Sequence, residues 1–192
     1  MVVLRVLLIF YKKRTDLLFK YDKKKGEPNI NIAYCPERVL PGNILSELIN
    51  NNRIIGVENN LTFKKVKKVY KSFVKGKLTQ TSVKLAEFSK LAENSYRDVN
   101  IAFSNEISIL SDKLNINVWE LIKLTNMHPR VNILNPGPGV GGHCIPVDPW
   151  FIISNLKNNA KLISTARKVN LDKEKFVVKK IEKFITKNKK NI

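Results

Sequence analysis

The sequence predicts an α/β fold in which a small βαβα fragment is followed by a mainly α-helical region. Short β-branched runs alternate with helical patterns up to Gly76, and a helical periodicity then runs from Thr81 to Leu114. Beyond it only helical patterns return, on either side of one loop dense in glycine and proline.

The elements follow in order. Residues 1–10 read as a buried strand, and the polar, basic stretch after them as a connection. "INIAYCPE" alternates and is β-branched at its start, so a strand is expected to end at Pro36. "RVLPGN" predicts a turn, "ILSELINN" a short helix and "RIIGV" a second strand. In "LTFKKVKKVYKSFVKG", Leu61, Val66, Val69, Tyr70 and Phe73 recur at three- and four-residue steps, so a helix is expected to stop near Gly76.

In the long helix Phe88, Leu91, Ala92, Ser95, Val99, Ala102, Phe103, Ile107, Leu110 and Leu114 form a continuous stripe, the face expected to pack. Beside it Lys90, Asn94 and Arg97 stand at i, i+4 and i+7. That spacing projects a cation, an amide and a guanidinium from one face, either as ordinary surface or as the lining of a pocket. "NVWELIKLTNMH" is a second, shorter helix whose Trp119, Leu121, Ile122 and Leu124 are expected in the core. One or two helices follow from Trp150 on, and the terminal "TKNKKNI" is expected to fray.

Composition narrows the function classes. The opening run "VVLRVLLIFY" is far shorter than the ~20 residues of a membrane span and holds Arg5. Its basic cluster follows rather than precedes it, the reverse of a secretory signal, so a cytoplasmic location without membrane attachment is expected. Two cysteines 109 positions apart, Cys35 and Cys144, provide neither a disulfide framework nor a metal pattern. The formal charge of +19 raises the question of nucleic acid. Phosphate recognition, however, brings clustered arginine or stacking aromatics, and neither is present, so no nucleic-acid partner is expected. With only seven arginines against 28 lysines, each arginine hints at a site needing a planar donor fork.

The loop "GPGVGGHCIPVDPW" contains Gly137, Gly139 and Gly142 in the spacing of a dinucleotide fingerprint. Its context is wrong. Pro136 and Pro138 interrupt the approach, Pro146 and Pro149 forbid a helix opening at Gly142, and position 162 is leucine where an acid belongs. Two readings stay open. The loop turns a corner, or Gly141 and Gly142 let a substrate approach the backbone while Cys144 presents a thiol for nucleophilic attack. In the second, Asp148 would hold or activate a water, whereas Cys35 is read as a small buried hydrophobe.

"IAYCPERVLPG", "KLAENSYRDVNIAFSNE" and "NVWELIKLTNMHPRVNILNPGPGVGGHCIPVDPWFI" resemble the UDP-glucose/GDP-mannose dehydrogenase family, most closely its members acting on UDP-N-acetylmannosamine. The resemblance runs from residue 29 to about 175. It implies the remnant of a Rossmann-like parallel sheet in residues 1–76, with 1–28 unmatched, and a helical central domain in 77–192 that mediates homodimerisation. It implies NAD-dependent, four-electron oxidation of a UDP-sugar C6 alcohol to the carboxylate through a cysteine thioester. In it Cys144 is the nucleophile, Lys90 the proton donor and acceptor, Asn94 a neutral donor and Asp148 the orienter of water. Arg38, Val39, Lys90, Asn94, Arg97, His128, Arg130 and Gly141 are the implied UDP-sugar contacts, with Arg130 reaching the partner's site. The family's glycine fingerprint and last domain are missing from these 192 residues, so a truncated form without NADH production is expected, with a non-catalytic dimerisation or interaction remnant as the alternative reading, and no cofactor-binding residue is assigned.

Overall fold

The computed structural model of the chain describes residues 32–40 and 42–188. The strand expected over residues 1–10 and the connection after it lie outside them. A three-stranded sheet comes first, in the order β1 (Ala33–Tyr34), β2 (Arg53–Val57), β3 (Leu78–Thr81). Strand β1 is antiparallel to β2, with Ala33 opposite Val57, and β3 is parallel to β2, with Arg53 opposite Leu78. Helix α1 (Ile44–Asn50) precedes β2, and α2 (Asn60–Tyr70) makes the crossover that a parallel neighbour requires. Two long helices, α3 (Val83–Lys113) and α6 (Lys161–Asn188), follow, with the short helices α4 (Val118–Thr125) and α5 (Asp148–Leu156) between them.

Local chemistry explains the boundaries. The Asn59 side chain accepts a hydrogen bond from the Thr62 N–H at 2.8 Å and caps α2, and Ser82 caps α3 through the Leu85 N–H at 3.2 Å. Asn117 does the same for α4. Helix α3 ends at Lys113, and the chain turns away at Asn115, whose φ of +54° asparagine tolerates better than most residues. Helix α2 stops earlier than the apolar spacing predicts, because the Lys75 N–H turns back to the Ile49 carbonyl at 2.7 Å at the end of α1. That turn starts β3, which the sequence pattern did not disclose.

Ile55, Val57 and Phe63 form the sheet's buried cluster, flanked by Cys35, Val66, Tyr70 and Leu78. Cys35 is half-buried there, as a small apolar group would be. Burial pushes its thiol pKa up, and burial together with the Cys35 contact pushes Tyr70 up to about 12. Gly56 faces the start of α3 so closely that a Cβ there would lie 2.7 Å from Ala86 Cβ and 2.9 Å from the Val83 backbone. Only glycine lets helix and strand meet at this point.

The expected packing of the helices needs correction. On α3, Ser95 and Ala102 are buried, but Phe88, Phe103, Leu110 and Leu114 are 47%, 51%, 45% and 67% exposed. On α4 only Ile122 is buried, whereas Trp119 and Leu124 are exposed. The covered face of α3 is the polar and small-residue one, carrying Lys90, Asn94, Asp98, Asn105, Ser108 and Ser111 against α5 and α6. From Lys161 on there is one helix through Asn188, so the fraying expected from residue 186 does not begin before that point.

Candidate active site

Lys90 and Asn94 occupy consecutive turns of α3, and both are buried. Neither is therefore ordinary surface, and of the two Lys90 lines an open groove. Burying an amide and an amine demands partners. The Asn94 Nδ2 donates to the Asp148 carboxylate, and the Asn94 Oδ1 accepts from the Arg97 guanidinium. Asp148 is buried at the first position of α5, where Pro149 is well placed because the first turn has no use for its missing N–H.

The loop thiol enters through the backbone. The Cys144 carbonyl accepts the Asp148 N–H at 2.8 Å and the Val147 N–H at 3.2 Å, a single helical turn that leads into α5. Cys144 itself is half-buried and Gly141, Gly142 and His143 are exposed, so the loop tip is open to solvent. Gly142 has φ +87°, a conformation that requires glycine, and no helix opens there. The arrangement therefore links one face of α3 to the thiol's own turn by two bonds, Asn94 to Asp148 and Asp148 to Cys144.

On the other side of Lys90 an open groove of about 690 Å³ runs between α3 and the segment after β1, lined by Arg38, Lys90, Glu93 and Arg97. Three cations against one carboxylate suit an anionic ligand. The Arg38 Nε donates to Glu93 at 3.2 Å while its Nη2 holds the other carboxylate oxygen, so its fork lies across the groove. Glu93 is a charged lining residue that sequence reasoning missed. Its position at i+3 from Lys90 and i−4 from Arg97, on the same helix face, was the available signal.

Not every expected residue converges. Val39 is half-buried beside Arg38. His128 and Arg130 are both exposed beyond the end of α4, where the His128 Nδ1 accepts the Arg130 N–H at 3.3 Å, and neither lines the groove. Gly141 has no neighbour within 4 Å of a Cβ position. Among the described residues no glycine-rich turn joins a strand to a helix, since β2 passes into α2 through Glu58 and Asn59. Nor does any helix among them have the length and apolarity to cross a membrane.

The same stretches match known proteins. The central-domain model of the UDP-glucose/GDP-mannose dehydrogenase family covers residues 84–172, and that family's NAD-binding-domain model covers residues 11–74, earlier than the motifs at residue 29. A UDP-N-acetyl-D-mannosamine dehydrogenase of Campylobacter jejuni is 57% identical over 175 residues, 91% of this chain and 42% of that protein. The enzyme of the same description in Methanocaldococcus jannaschii is 54% identical over 168 residues, 88% and 39% of the two chains. The solved UDP-D-ManNAc dehydrogenase of Pyrococcus horikoshii superposes with a TM-score of 0.81 at 41% identity, covering 93% of this chain and 43% of that one. The chain thus spans about two-fifths of the length of the relatives it matches. With both models of one family aligned in order along it, and relatives of that family at more than half identity, the chain belongs to the UDP-glucose/GDP-mannose dehydrogenase family.

Proposed function

We propose that this chain carries the substrate and thioester chemistry of a UDP-N-acetylhexosamine 6-dehydrogenase, with UDP-N-acetylmannosamine as the substrate. The observation that carries the reading is the Asn94–Asp148 hydrogen bond, which ties the polar face of α3 to the turn holding Cys144.

The chemistry is assigned to this chain's side chains as follows. At the aldehyde stage the Cys144 sulfur bonds to C6, and the carbonyl oxygen takes up the proton that the thiol gives up. Lys90, a cation beside Asn94, stabilises the oxyanion and passes that proton, and the Asn94 amide is a neutral donor beside it. Loss of a hydride from C6 and a proton from the hydroxyl leaves a thioester. A water then adds to the acyl carbon, the C–S bond breaks, and carboxylate and thiol result. Asp148 orients that water. NAD, implied by the match at residues 11–74, is the hydride acceptor of both oxidations, and no described residue is assigned to hold it. Arg38 and Arg97 bind the diphosphate side of the substrate through their forks, which requires Glu93 to release Arg38. Val39, His128, Arg130 and Gly141 complete the substrate contacts in this reading.

Adding the UDP-sugar 6-aldehyde tests the site without any hydride acceptor. Thiohemiacetal formation is expected to slow iodoacetamide alkylation of Cys144 on the order of tenfold when the aldehyde is at about ten times its Kd. Peptide mass reads this separately from Cys35, and Lys90→Met is expected to abolish most of the protection. An alkylation rate untouched by the aldehyde overturns the reading.

A homodimer joined through the central helices is part of the same proposal. Phe88, Phe103, Leu110 and Leu114 along α3, with Trp119 on α4, leave an apolar face exposed in the single chain, more than scattered surface residues account for. Sedimentation equilibrium is expected to give a dimer, and Phe103→Glu a monomer.

A further inference from the structure

The cysteine loop is also held at its other end, by groups that the reaction does not use. Arg167 Nη1 on α6 donates to Asp98 Oδ1 on α3 at 2.6 Å. Asn170 Nδ2 donates to the same carboxylate oxygen at 2.8 Å and to the Asp98 backbone carbonyl at 3.1 Å. Asn170 Oδ1 accepts from Asn105 Nδ2 at 2.9 Å, and Asn105 Oδ1 accepts the Gly137 N–H at 2.9 Å. Asp98, Asn105 and Asn170 have no exposed surface and Arg167 is 2% exposed.

The ends of this chain fix its sense. The Gly137 N–H can only donate, so Asn105 must present its oxygen there and its NH2 to Asn170. The Asp98 carboxylate next to an arginine can only accept, so Asn170 must turn its NH2 that way and its oxygen to Asn105. Both amides are therefore locked in one orientation by a backbone donor at one end and a carboxylate at the other. Two residues further along the loop, a Cβ on Gly139 would lie 2.5 Å from Glu174 Cγ on α6, so the loop rests directly on that helix. Its far end is pinned by Asp148 to Asn94. Cys144 hangs between these fixed points.

We propose that Asn105 and Asn170 form an amide relay from the buried Asp98–Arg167 pair to the Gly137 N–H, and are positioning residues that set where the Cys144 loop starts. The proposal rests on the reading of Cys144 as the nucleophile. An acidic replacement separates positioning from mere support. Asn105→Asp keeps an acceptor for Gly137 but buries a charge, so it costs more global stability than Asn105→Ala. Asn105→Ala keeps the fold better and leaves the Gly137 N–H unbonded. The two variants must therefore rank in opposite orders, by urea unfolding on one hand and by loop behaviour on the other.

The experiment uses the full chain, with hydrogen exchange of the Gly137 amide and the iodoacetamide rate at Cys144 as readouts. In Asn105→Ala, Gly137 exchange is expected to quicken on the order of tenfold, with a changed Cys144 alkylation rate, and both effects exceed those in Asn105→Asp. Loop effects that follow the order of global stability, or an unchanged loop in Asn105→Ala, overturn the relay. Should neither variant fold, the wild-type chain decides: Gly137 exchange slower than that of Gly141 by on the order of a hundredfold supports the relay, and equal rates overturn it. None of these readouts needs turnover or the sugar aldehyde, so failure of the aldehyde assay alone leaves the relay standing and removes only the chemistry at Cys144.

Discussion

Between residues 33 and 81 the buried cluster is an ordinary apolar one, Ile55, Val57 and Phe63, and Arg53 and Thr62 are the buried polar side chains of that stretch. Between residues 83 and 188 the buried apolar groups are mostly alanines. Lys90, Asn94, Asp98, Asn105, Arg167, Asn170 and Lys173 fill the space between helices instead. The sheet layer is held mainly by area, which is indifferent to direction, and the helical layer relies more on hydrogen bonds, which are not. A layer that has to place an amine, an amide and a carboxylate relative to one loop gains from the directional kind, at the cost that every partner must be present.

The sharpest way to break this comparison is to remove one partner on each side. Arg167→Met leaves Asp98 buried without its cation and is expected to lower stability by about 3–5 kcal/mol in urea unfolding. Mutating both partners, Asp98→Leu with Arg167→Met, is expected to recover most of the loss, since the apolar pair needs no counter-charge. In the sheet layer, Ile55→Ala is expected to cost about 2–4 kcal/mol, set by the cavity it leaves and not restored by any second change nearby. If the double variant in the helices stays as unstable as Arg167→Met, direction is not what holds that layer.

A smaller effect sharpens the contrast. Lys173 on α6 is buried against Ser108, and burial first, then the neighbouring Lys180, holds its pKa below the ordinary 10.5. The folded chain therefore binds this proton less readily than the unfolded one. Between the folded pKa and 10.5 the unfolded state carries more protons, so stability contributed by this group rises with pH over that window and is withheld below it. The stability of wild type relative to Lys173→Met is expected to increase from neutral pH toward about 10.5. A difference that stays flat across that range contradicts the assignment.

Much of this organisation was legible in the residues. The β-branched "RIIGV" gave β2, and three- and four-residue spacing gave α3 and α4. Strand β3, "LTQT", was not legible, because its register comes from a backbone turn at Lys75 and its side chains are half-buried or exposed. The apolar stripe of α3 was read correctly as helical and wrongly as covered. Periodicity locates a face but not what stands opposite it, and here the opposing helices carry Asp98's and Asn105's partners. At the site, the i, i+4, i+7 line of Lys90, Asn94 and Arg97 was visible, whereas the joining of Asn94 to a residue 54 positions away needed the fold. The buried relay was invisible for the same reason, since an asparagine in a helix gives no sign of its partner.

The close contact of Gly56 with Ala86 has a geometric consequence for the whole molecule. Helix α3 has 31 residues, about 46 Å of rod, and the sheet meets it almost at one end. It acts as a fulcrum. Lys90, four residues along, stands about 6 Å from the pivot, while Lys113 stands about 40 Å away. A tilt of about 5° would shift the amine by about half an ångström and the tip by several. A swing of the sheet is magnified toward the end that carries Leu110 and Leu114, and scarcely felt at Lys90.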